Sequence, residues 1–405
     1  MTATAAGFVS FDDARARALQ PFALTRPASE LRAGALLMRE RWAQVTGSAS
    51  SGFVGDHHLR TFEEGDAPPC VTGMIAAGTI LVNSRCAPAL DARLAPDVSH
   101  WLCDGRVAAV RLAEALPVAR LHDGSLVLDT LVPVGAASVT IAGWWMDDVW
   151  DFIRHLQAML AHDIPILGRG MDAAPSHLAV LGEHNCFVAR GAYIEPMVLA
   201  DTTAGPILVA EGARISAFTR LVGPCAIGRD TLIAGGRIAG CAIGDHCRVH
   251  GEISASIVIG HANKSHDGFI GHSILGRWSN LGAGTLTSNL KNSYGSVSMW
   301  TERGVVPTAM QFLGTMFGDH AKTAIGTRLT TGTVIGAGAN VFGSAMPPKC
   351  VPPFAWGDGV PFETFDADKF IEVAERVMAR RSVPLSGGQR AMLRAAWALG
   401  STLRP

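Results

Sequence analysis

A chain of 405 residues is longer than one core usually organises, so two or three domains are expected. Lys and Arg number 34 against 35 Asp and Glu, a formal net charge of -1 without long runs of one sign, which excludes a dedicated nucleic-acid binder. Hydrophobic residues make up 48% and charged ones 17%, yet no apolar run reaches the ~20 residues of a membrane span, and 45 glycines call for many tight turns.

Residues 1–165 are predicted to form an α/β domain. From Pro27 to Val45, Leu31, Ala35, Met38 and Trp42 recur at helical spacing with Ser29 as a cap, which predicts an amphipathic helix. The runs 79–83, 106–113 and 125–134 read as strands or buried elements, and 147–164 reads as a helix leaving the domain. A linker over 166–178 follows. The N-terminus lacks the charged-then-apolar order of an export signal, and eight scattered cysteines show no CxxC pair. Both predict reduced thiols in a cytoplasm.

From residue 179 the texture changes. Val209, Ile215, Leu221, Ile227 and Ile233 fall at strict six-residue spacing, and the pattern resumes after shifts at Ile243 and Val249, at Leu275 and Leu281, and at Ile335 and Val341. Six is the period of a parallel β-helix whose triangular coil has three short sides, each aliphatic residue pointing into the prism. The domain is expected over 179–355, interrupted by an irregular excursion at 290–312 of the kind that usually carries function. In the tail, 356–405, two helices are predicted at 366–381 and 387–400, as caps on the solenoid end or on a partner subunit.

Chemically capable side chains concentrate in 261–292. His261, Lys264, His266 and His272 lie close together, beside Asn280, Asn289 and the Gly-rich turn 282–285. A neutral imidazole can take the proton of an ammonium nucleophile while free backbone amides hold an oxyanion. That is the machinery of amide formation from a thioester.

The run from Lys264 to Asn289, KSHDGFIGHSILGRWSNLGAGTLTSN, resembles the acetyltransferase half of the bifunctional GlmU family. With the opening 24-LTRPASELRAG-34, the whole chain resembles the GlmU-related sugar nucleotidyltransferases. The resemblance implies a nucleotidyltransferase-like α/β domain, then a left-handed β-helix and a helical tail, assembled as a cytoplasmic homotrimer. It implies acetyl transfer from acetyl-CoA to an amino-sugar 1-phosphate, with nucleotidyl transfer from an NTP, and Mg²⁺ where that first half is active. His266 falls on the family's general base, Arg237, Lys264 and Asn280 on or beside sugar-phosphate contacts, and Ala283 and Asn289 on acetyl-CoA contacts. Leu290 and Phe269 stand where the family has tyrosines. The stretch 31–40 stands in for the family's phosphate loop without its G-x-G, leaving Arg26, Arg32 and Arg39 as candidates for nucleotide phosphates; the acids Asp129 and Asp148 show no metal-ligand spacing.

Two other functions compete. One is a zinc hydratase similar to the γ-class carbonic anhydrases, with His261 and His266 at H-x4-H spacing and His246 or His250 as third ligand. The other is a non-catalytic trimeric scaffold or nucleotide-sugar sensor.

Overall fold

The computed structural model describes residues 7–95, 97–171 and 174–402. The chain divides into two compact units, the first running to Asp151 and including Leu385–Ala396, the second running Phe152–Pro384 and including the chain from Trp397. No helix among the described residues is long and apolar enough to cross a membrane.

The first unit is built on one mixed sheet. Its strands are β1 (Phe8–Phe11), β2 (Ser50–Val54), β3 (Ile80–Asn83), β4 (His100–Cys103), β5 (Arg106–Arg111) and β6 (Ser138–Thr140), in the spatial order β6-β4-β5-β3-β1-β2. β1 runs parallel to β2 and β3, while β5 is antiparallel to β3 and β4. Strand alternation sends Phe8, Ile80 and Val82 into a core with Trp42 and Trp101, and Val9, Phe11 and Leu81 into a second core on the other face. The predicted strands at 79–83 and 106–113 are β3 and β5. The run 125–134 instead makes a 3₁₀ turn at Leu128–Leu131, because Leu128 and its neighbours lie on the second core without joining the sheet.

The predicted helix from Pro27 shortens to α1 (Met38–Thr46). Gly34, at φ 62°, turns the chain through a small hairpin of Arg32–Ala33 and Leu36–Leu37 before the helix starts. The Glu40 carboxylate then accepts from the Leu37 N–H at 2.8 Å, and Gly47 ends the helix in the left-handed region.

The second unit is a left-handed parallel β-helix of about 10 turns over residues 179–357. Val209, Ile215, Leu221, Ile227 and Ile233 are all buried in its interior, joined by Ile243, Val249, Leu275, Leu281, Ile335 and Val341. Successive coils pair in register, Ile215 on Ile233 and Ile233 on Val249. The period slips where Leu232–Ala239 and Arg248–Ser254 run as long bent strands. Gly236 there has φ 94°, and a Cβ on it would lie 2.2 Å from the Gly251 oxygen, so only paired glycines let those corners stack.

One outward face is apolar as well. Leu208, Ile257, Ile274 and Met316 are buried although they point away from the prism, and α2 (Leu156–Leu167) packs on the strand Cys225–Ile227 of that face. Gln157 donates to the Gly240 carbonyl at 2.7 Å. The second unit therefore begins well before 166–178. The tail helices are α3 (Ala367–Ala379) and α4 (Gly387–Gly400). Phe370 of α3 packs edge-on against Phe354 and Phe365, at 5.0 and 6.0 Å between ring centroids, and so covers the last coils. The excursion 290–312 is an arm: Ser298–Thr301 pairs antiparallel with Gly304–Pro307, and Leu290 bridges Phe312 at its root.

Candidate functional site

Lys264 occupies an inward position of the prism. It pairs in register with Val249, an aliphatic residue of the interior, and is 1% exposed. Its ammonium turns to the next corner and donates to the carbonyls of His266 and Asp267, the latter at 3.1 Å. Burial lowers its pKa to about 8 against the opposing pull of Asp267. The expected contact of Lys264 with a substrate phosphate is thereby corrected, since its ammonium is held by two main-chain carbonyls inside the coil.

That hold fixes the corner on which His266 stands. His266 is exposed, and its ring makes no hydrogen bond among the described residues. The strand entering this corner carries a column in which the Asn263 amide donates to Asn280 Oδ1 at 2.8 Å. The strand leaving it carries the column Arg237, Glu252, Phe269. Arg237 lies 3.8 Å from Glu252 and 3.3 Å from Ser254 Oγ, half exposed. The columns of Asn280 and Arg237 thus pass on the two sides of the His266 corner, with Asn280 one coil beyond it and Arg237 two coils before it. Below it, Gly284 donates to the Asp267 carbonyl at 2.8 Å, and the Ala283 carbonyl accepts from Gly326 at 2.7 Å. His250, which the sequence offered only as a zinc ligand, sets Nε2 2.9 Å from Asp267 Oδ1.

Asn289 belongs to a second cluster, at the root of the arm. Its amide nitrogen lies 2.9 Å from His272 Nδ1, and the His272 ring stacks on Phe312 at 5.3 Å. Burial lowers the His272 pKa, so the ring stays neutral as a stacking partner. Phe312 went unnoticed in the sequence because its partner lies forty residues upstream.

Replacing Lys264 by leucine restores the aliphatic column and releases the two carbonyls. The depressed ammonium costs stability in full below pH 8, and the cost is relieved as pH rises toward the ordinary lysine value of 10.5. Melts of the wild type are expected to gain stability over that range relative to Lys264→Leu; parallel pH profiles would show that the ammonium is not buried.

The zinc alternative is overturned by position. His261 packs at a tilt between the rings of His246, at 4.7 Å, and Trp278, at 4.3 Å, with the Arg277 guanidinium 2.8 Å from its Nδ1, which a dication would not tolerate. His250 is turned to Asp267 and to the Ala234 carbonyl. Among the described residues no three His, Cys, Asp or Glu side chains converge as metal ligands.

In the first unit a pocket of about 430 Å³ opens beyond the carboxyl ends of β1 and β3, where open α/β sheets receive ligands. Arg26, Arg32 and Arg39 do not reach it. Arg26 is buried against Glu64 at 3.0 Å, Arg32 donates to the Ala35 carbonyl, and Arg39 pairs with Glu30 at 2.7 Å and Asp66 at 2.6 Å. Asp13, Arg15, Arg85 and Arg106 line the pocket instead. Arg85 grips both oxygens of Asp13, at 2.8 and 2.6 Å, and also donates to Asp147, which Arg106 holds at 3.0 Å. A signal for this site lay in the acidic pair Asp12–Asp13 directly after the first strand. The donor set does not fit Mg²⁺, because these carboxylates already face guanidinium groups. Of the two acids singled out in the sequence, Asp129 lines the pocket, and Asp148 lies 3.7 Å from Arg15.

Residues 8–172 match the sugar nucleotidyl transferase family. Over 187 residues the chain is 26% identical to the bifunctional protein GlmU of Synechococcus elongatus, covering 46% of this chain and 32% of that protein. Over 95 residues it is 27% identical to a bifunctional sugar-1-phosphate nucleotidylyltransferase/acetyltransferase of Sulfurisphaera tokodaii, 24% of each chain. These matches bear out the expected resemblance, at low identity, and span a third or less of each curated relative. Among solved structures, the UDP-N-acetylglucosamine acyltransferase from Campylobacter jejuni is 12% identical, covering 51% of this chain and 94% of that one at a TM-score of 0.16.

Proposed function

We propose that the protein is a sugar-phosphate transferase whose β-helix moves an acetyl group from acetyl-CoA to the amine of an amino-sugar 1-phosphate. The observation that carries this reading is His266, open to solvent at a corner whose main chain Lys264 holds from inside. In the reaction His266 takes one proton of the sugar ammonium, and the freed amine attacks the thioester carbonyl. The C–N bond forms, the C–S bond breaks, the nitrogen's second proton passes to the departing thiolate, and His266 releases the first to solvent. Arg237 and Asn280, on the columns that pass either side of the corner, hold the sugar phosphate. Ala283, and Asn289 at the arm root, lie toward the coenzyme.

The working form is a homotrimer. Apolar side chains such as Phe218 and Ile325, 76% and 77% exposed on the solenoid, suit contact with a neighbouring copy. In the first unit the arginine-neutralised pocket favours a second role, binding a nucleotide or sugar nucleotide without metal-dependent transfer. Two assays on the purified chain test this: thiol release from acetyl-CoA with glucosamine 1-phosphate, and pyrophosphate release from UTP with a sugar 1-phosphate and Mg²⁺. Acetyl transfer is expected. Its absence over a panel of amino-sugar phosphates sinks the first reading, and pyrophosphate release sinks the second.

A further inference from the structure

A cleft of about 610 Å³ lies on the second unit between the early coils and the end of α3; its column of arginines runs on through Arg248 to Asn263, but His266 does not line it. Arg214 and Arg248 line it from the solenoid, Arg380 and Arg381 from the turn that ends α3. Among the described residues none of these four guanidinium groups is in an ion pair. Glu195 also lines the cleft, but its carboxylate accepts from the Ala217 N–H at 2.8 Å, and Asp230 stands 3.8 Å from the His246 ring.

The placement of the arginines is informative. A helix C-terminus attracts cations, which accounts for Arg380 and Arg381 but not for the other two. Arg214 and Arg248 occupy one outward column, with Leu232 between them, so at ~4.8 Å per coil their Cα atoms stand about 10 Å apart across an apolar floor. Arg381 closes the opposite side, donating to the His246 carbonyl at 3.2 Å. Burial lowers its pKa, helped by the positive charges of Arg248 and Arg380. Four like charges converge there against two lining carboxylates, neither of them ion-paired to these arginines, and the excess raises the free energy of the empty cleft and focuses a positive field in it.

The geometry points to a binding site for a pyrophosphate-bearing small molecule of nucleotide size, gripped by Arg214 and Arg248 on one wall and by Arg380 and Arg381 on the other. Planar guanidinium forks match phosphoryl oxygens in pairs, and the volume exceeds what a lone phosphate fills while lying within the range of small-molecule sites. Neither His266 nor the pocket of the first unit takes part.

Calorimetric titration of the full chain at low salt with inorganic pyrophosphate, UDP and coenzyme A tests this. At least one probe is expected to bind, with the tighter of UDP and coenzyme A naming the source of the pyrophosphate. Arg248→Ala and Arg214→Ala are each expected to weaken that binding tenfold or more, while Arg120→Ala, which removes an equal charge in the first unit, leaves it unchanged. The titration is repeated on His266→Ala, where binding is expected to persist, so a failed acetyltransferase reading leaves this result standing. No binding by any probe, or equal losses in Arg120→Ala and Arg248→Ala, overturns the proposal.

Discussion

Replacing His266 by alanine is expected to lower kcat for acetyl transfer by about 100-fold or more, the usual worth of a positioned general base. At about 1.4 kcal/mol per decade, that is roughly 3 kcal/mol or more of transition-state stabilisation. The same change is expected to leave stability within about 0.5 kcal/mol, because the ring is exposed and no described side chain bonds to it. Rate and melting temperature therefore separate at this position. A residue that merely supported the corner would move both together, and would leave the acidic limb of the pH–rate profile in place. His272→Ala provides the contrast. That ring packs on Phe312 and faces the Asn289 amide, so its loss is expected to lower the melting temperature more than the rate. If the rates fall the other way round, with His272→Ala inactive and His266→Ala active, the base is not His266.

The period of six was readable because every inward position of a β-helix demands the same thing, an aliphatic side chain at a fixed interval. Its slips were readable as slips, but not as bent strands over stacked glycines, because that close approach joins Gly236 to Gly251 on the next coil. Lys264 shows the limit most clearly. Lysines are rarely buried, so a surface role was the natural expectation. Its inward place follows from counting register through Val249 rather than from residue type. In the first unit the arginines after the first strand resembled a phosphate cluster. Their carboxylate partners, Glu64 and Asp66, lie across a strand and a turn, where local pattern does not reach. The lining of the pocket is likewise dispersed, with Asp13, Arg85, Arg106 and Asp129 on four separate segments. No spacing rule brings them together; the sheet does.

Arg85→Ala is expected to cost the first unit about 3–5 kcal/mol, the usual effect of removing one partner from a buried ion network. Arg85 is 6% exposed, grips Asp13 through two parallel bonds, bridges to Asp147, and lies 5.4 Å from the Trp145 ring. Without it Asp147 keeps the guanidinium groups of Arg106 and, at 3.7 Å, Arg15, while Asp13 in the pocket wall keeps none. Burial by itself would raise both carboxyls. Arg85 on Asp13, and Arg106 with Arg85 on Asp147, outweigh that and hold both below the ordinary value of 3.8. Groups depressed in this way add stability above the unfolded value and lose it as pH falls through their folded values. In the variant the sign reverses for Asp13, whose stranded charge is penalised near neutral pH and relieved by protonation. The gap between wild type and Arg85→Ala is therefore expected to be widest at pH 7 and to close toward pH 4, and Arg85→Lys, which keeps the charge but not the paired bonds, is expected to fall between them. Urea melts of the three proteins across that range measure it. A gap that stays constant with pH would mean that lost packing on Trp145, rather than the charge network, holds this pocket together.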